Sequence, residues 1–159
     1  MKNMNTFSIG ATAAIITSMG LIAGLTQGAN AKVGIITGLL IFAVADNISD
    51  SFSIHIYKES EGASSKEVSV STFGNFAVRL LLVLTFASLV LFLPPNAALI
   101  LSSIWGLTLL AILSYGIARR RNIHPLKSIL WHLAVALVVI VGSRFLGSWV
   151  LKWQLISRI

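Results

Sequence analysis

Five apolar runs, each long enough to cross a bilayer, leave this chain few folds to choose from. Spanning the hydrocarbon core takes about 20 residues of helix, and the runs cover roughly 7–25, 33–57, 75–94, 97–118 and 128–151. They are continuous and do not alternate with period two, so they read as helices and not as barrel strands. Short polar stretches separate them: "TQGANAK", "KESEGASSKEVSVST", "PPN" and "RRRNIHPLK". Pro94 and Pro95 end the third run, because proline lacks the backbone donor and crowds the preceding turn. The expected fold is an all-α membrane protein of five transmembrane helices. It forms a single domain over residues 1–159, with a polar cytoplasmic loop at 58–74.

Composition agrees. Of 159 residues, 56% are hydrophobic and only 11% charged, too few polar side chains to clothe a soluble domain of this size. The net charge of +7 lies in clusters between the apolar runs, unlike the continuous basic face of a nucleic-acid binder. The chain has no cysteine, which excludes disulfides, thiolate metal sites and cysteine nucleophiles.

Basic residues also set the expected orientation. Lys2, Lys58, Lys66, Arg79, Arg119, Arg120, Arg121 and Lys127 fall on one side, and Lys32, Lys152 and Arg158 on the other. The positive-inside rule then places the N-terminus in the cytoplasm and the C-terminus outside, in a prokaryotic inner or plasma membrane. A second reading of the first run is a secretory signal: Lys2, an apolar stretch, then "GANAK", with cleavage after Ala31.

Helix two carries the chemistry. In "ADNISDSFSIHIYKESE" (45–61), Asp46, Ser49, Asp50, Ser53 and Tyr57 share one helical face, with Asn47 and Ser51 beside it. An ionisable side chain at mid-helix costs roughly 2.5–3.5 kcal/mol on insertion scales. Such groups face a bundle interior or a wet cavity, and they commonly mark an ion or proton route. Two carboxylates with hydroxyl and amide neighbours suit a hard divalent cation. The competing reading is charge pairing. Arg79 is the expected partner of Asp50, and Arg144 either snorkels outward or reaches Asp46. His132 is an accessory candidate, more simply a satisfied histidine within the bundle. Trp131, Trp149 and Trp153 read as interfacial belts; "ARRRNIHPLK" (118–127) is able to touch anionic headgroups but is most simply the positive-inside anchor. Gly20, Gly24, Gly34 and Gly38 give the small-xxx-small spacing of close helix contact. No serine–histidine constellation, phosphate loop or metalloprotease helix is present, so an enzyme is not expected.

The first two helices resemble the vacuolar iron transporter (VIT/CCC-type) family of Fe²⁺ and Mn²⁺ transporters. "GATAAIITSMGLIAG" (10–24) lines up with the family's first helix, and "TGLLIFAVADNISDSFSIHIYKESE" (37–61) with its second. "LVLFLPPNAAL" and "VGSRFLGSWV" are similar to later family helices. The resemblance implies five helices, a homodimer, and a divalent metal as substrate with no resident cofactor. It also marks departures. Ala13 stands where the family has an Asp ligand, Asp50 where it has Met, and Ile54 where it has Glu. The 58–74 stretch is too short for the cytosolic metal-binding domain of the iron-transporting members. A metal or proton site here would therefore be built from Asp46, Asp50, Asn47, Ser49 and Ser53. The alternatives are a transport-inactive scaffold or partner subunit with its Asp residues paired to Arg, and a different substrate on the same frame.

Overall fold

A computed structural model describes residues 2–156, with side chains from Phe7 to Trp153. Arg158, counted among the outer charges, lies outside the described residues. The chain forms six α-helices and one π-helical turn, and no strand occurs among the described residues. In order these are α1 (Lys2–Leu25), α2 (Ala31–Ile41), the π turn Phe42–Asp46, α3 (Asn47–Ser60), α4 (Ser65–Phe92), α5 (Pro95–Arg120) and α6 (Pro125–Ile156). Helix α2, the π turn and α3 run on as one rod. Five spans are thus long and apolar enough to cross a membrane, the architecture of a multi-pass membrane protein.

The central helix is α1, which packs against α6, α4, α5 and α2; α3 pairs with α4, and α5 with α6. Its Ile15, Met19 and Ile22 meet Ile35 and Leu39 of α2, Val83 and Phe86 of α4, and Leu110 of α5 in one buried cluster. A chain cut after Ala31 would lose this central element.

The helices run longer than the apolar runs that announce them. The polar stretch 58–74 is helical except at 61–64. Ser64 caps α4, its hydroxyl accepting from the Glu67 amide at 3.4 Å, the first half of a capping box. The end of α3 is closed by a left-handed Gly62 (φ 70°). The Gly62 amide donates to the Glu59 carbonyl and the Ala63 amide to that of Lys58. Asn122 (φ 51°) ends α5 in the same way, with the Ile123 amide bonded to the Ala118 carbonyl. At the opposite end Pro95 opens α5 at the first helical position, where the missing donor costs nothing.

The π turn also has a sequence cause. Buried positions along the rod include Ala31, Ile35, Leu39, Ala43, Asn47 and Ser51, a four-residue repeat, with Phe42 and Lys58 besides. On a helix of 3.6 residues per turn such a repeat drifts about 40° at each step. One wider turn absorbs part of that drift, and α3 keeps its buried stripe against α4.

Candidate functional site: an intramembrane ion cluster

Asp46 stands midway along the 31–60 span and Arg79 midway along the 65–92 span, so the crossing of α3 with α4 brings opposite charges together at mid-helix. Arg79 is the largest of the fully buried side chains among the described residues. Its Nη2 donates to Asp46 Oδ2, and its Nη1 lies 3.1 Å from Asp50 Oδ2. Its guanidinium carbon sits 5.5 Å from the ring centre of Phe42, in the π turn, a cation–π contact. One guanidinium therefore serves two carboxylates, and the cluster keeps a net charge of one negative.

Amides complete it. Asn75, one turn before Arg79, donates through Nδ2 to Asp50 Oδ2 at 2.9 Å and to Ser51 Oγ at 3.2 Å. Asn47 is fully engaged in the helix crossing. Its Nδ2 donates to the Phe76 carbonyl at 3.0 Å and its Oδ1 accepts from Ser51 Oγ at 3.5 Å. On α1, Gly10 leaves room for these groups, since a Cβ there would overlap Asn75 Oδ1 and approach the Arg79 side chain. Asn75 Oδ1 and Arg79 Nε are both buried without a hydrogen-bond partner. In a close-packed interior such atoms carry a desolvation cost of about 1–3 kcal/mol each.

The two sides of the cluster differ. Arg79 is 2% exposed, whereas the Asp46 and Asp50 side chains are 55% and 36% exposed. Ser49 and Ser53 point outward beside them, with Ser53 Oγ returned to the Ser49 carbonyl at 3.0 Å. The carboxylates thus sit on the rim of α3, beside the exposed apolar residues Val44, Ile48 and Phe52.

Of the residues singled out from sequence, Asp46, Asp50 and Arg79 come together, and Asn47 joins them in a structural role. Ser49 and Ser53 border the cluster without entering it. Arg144 does not take part. It lies on α6 near the opposite end, where its carbonyl accepts from Gln27 Nε2 at 3.0 Å. Among the described residues its guanidinium has no ion-pair partner. His132 is held elsewhere, 2.8 Å from Ser114 Oγ on α5. Among the described residues no three His, Asp or Glu side chains converge on a point. Asn75 and Ser51 are the additions. Asn75 had a readable signal: it precedes Arg79 by four residues, on the face of α4 that buries Ser71 and Val68.

The glycine repeats divide. Gly20 and Gly24 pack α1 against Val139 and Ser143 of α6, within the chain. Gly34 faces open space. No known family model matches this chain, and no curated protein matches it.

Proposed function

We propose that this chain is a membrane transporter of small divalent cations of the Fe²⁺/Mn²⁺ kind, coupled to protons. On this reading it is a divergent relative of the vacuolar iron transporter family, with its N-terminus in the cytoplasm. Asp46 and Asp50 are the ion site. One observation carries the reading: two half-exposed carboxylates, on one candidate span, share a single buried guanidinium from the next. Carboxylates turned outward from a membrane span are costly against lipid. A wet path or another protein surface must therefore meet them. A second copy of the chain meeting this face would unite four carboxylates and two guanidiniums. Their sum of two negative charges balances one divalent ion. Carboxylate, hydroxyl and amide oxygens favour Mn²⁺ or Mg²⁺ over softer ions.

A second reading is favoured by the contact of Arg79 with both carboxylates. The cluster is then a brace, and the protein a scaffold or partner subunit that moves nothing. Proteoliposome uptake of Mn²⁺, Fe²⁺ and Mg²⁺ separates the two. Transport predicts uptake by the parent chain and its loss in a triple variant, Asp46→Asn, Asp50→Asn and Arg79→Gln, that keeps its helicity and folded monodispersity. Uptake in neither protein, or equal uptake in both, rejects the transporter.

A further inference from the structure

Beyond Glu67 the charge is of one sign only. All five acidic residues fall between Asp46 and Glu67, and the 92 residues that follow contain none. Within those residues, Arg119, Arg120, Arg121, His124 and Lys127 crowd the α5–α6 turn, all of them exposed. Among the described residues, Arg119, Arg121, His124 and Lys127 form no ion pair. The turn lies at the same end of the bundle as the start of α1, for Ser8 and Arg121 line one cleft there.

Beside this turn runs an open groove of about 570 Å³ lined by His124, Leu126, Lys127, Leu130, Trp131 and Ala134. Its order along the helix is chemical. Lys127, Leu130, Trp131 and Ala134 follow at three- and four-residue spacing and so form one stripe of α6. The cationic groups stand at the helix start, an indole comes next, and apolar surface continues toward the middle of the span. Trp131 is 69% exposed and Leu130 66%, so none of the described residues covers this stripe.

We propose that this groove is a binding site for an anionic phospholipid. The headgroup phosphate lies against Lys127 and His124, with Arg121 of the same turn adding to the local positive charge; the Trp131 ring rests at the glycerol level, and one acyl chain follows Leu130 and Ala134. Charge complementarity selects the occupant, because the rim offers the Lys127 ammonium and the His124 imidazole and no carboxylate, and the rest of the lining is apolar or aromatic. An indole at the boundary between them is the placement that interfacial tryptophans favour. Each basic side chain near an anionic surface contributes about fivefold in affinity. The site is independent of what the carboxylate cluster transports.

The test is native mass spectrometry of the unmodified chain in detergent, titrated with phosphatidylglycerol or phosphatidylcholine. Phosphatidylglycerol is expected to be retained at least about fivefold better. The variant Arg121→Gln, His124→Gln, Lys127→Gln should bind both lipids alike. As these side chains are exposed, its circular dichroism should equal that of the parent. Placement is read separately. In a chain whose Trp105, Trp149 and Trp153 are replaced by Phe, brominated phosphatidylglycerol should quench Trp131 more than brominated phosphatidylcholine at equal mole fraction. Equal retention of the two lipids by the parent, an unchanged preference in the triple variant, or equal quenching of Trp131 would each overturn the site.

Discussion

Two of the helix seams of this bundle are closed by opposite means. Where α3 crosses α4, Arg79, Asp46, Asp50, Asn75 and Ser51 bind one another through charge and hydrogen bonds. Where α1 meets α6, the backbones themselves touch. A Cβ on Gly147 would run into the Gly24 carbonyl, and Gln27 clasps the end of the seam through the Arg144 carbonyl and Ser148. A membrane gives helices no hydrophobic drive toward one another, so close packing and polar contacts must supply the attraction. The α1–α6 seam depends on absent side chains, and the α3–α4 seam on paired polar ones, which leave only Asn75 Oδ1 and Arg79 Nε without a partner.

The contrast can be broken at three points. Arg79→Gln removes the hydrogen bonds to two partly exposed carboxylates and should destabilise the fold by about 1.5–3 kcal/mol, read as a lowered unfolding midpoint in detergent. Adding Asp46→Asn and Asp50→Asn should restore much of the loss. If the single change is silent, the polar seam is not held by charge. Gly147→Val forces α6 away from α1 and should cost about 1–3 kcal/mol, with no rescue from changes in the carboxylates. A shared rescue would show one coupled seam in place of two. Gly34→Ala meets open space within the chain and should stay within about 0.5 kcal/mol in a detergent-held monomer. A larger penalty confined to bilayers would place Gly34 against a second copy.

Much of the architecture was legible because hydrophobic length speaks plainly: five runs gave five spans. The loop at 58–74 misled because Ser65, Lys66, Glu67 and Ser69 are polar yet helical. They belong to a part of α4 that buries only Val68 and Ser71. The Ser64–Glu67 spacing, a capping signal, was the better guide to where α4 begins. The pairing of Asp50 with Arg79 followed from depth alone. That the same guanidinium also takes Asp46 did not, because it depends on the π turn and on the angle at which α3 crosses α4. Neither is written in local periodicity. Arg144 misled for the same reason: one Arg per Asp is a natural count on paper, but α6 presents it near the far end of the bundle.

The turn at 61–64 bears on how such a chain reaches the bilayer at all. Four residues and a left-handed glycine fold α3 back on α4, and all three charges of the cluster belong to that one hairpin. During biogenesis the two spans can pair as they leave the insertion machinery, carrying acid and base together. Neither helix need then enter lipid with a naked charge. A glycine placed at the turn between two helices thereby eases the passage of both.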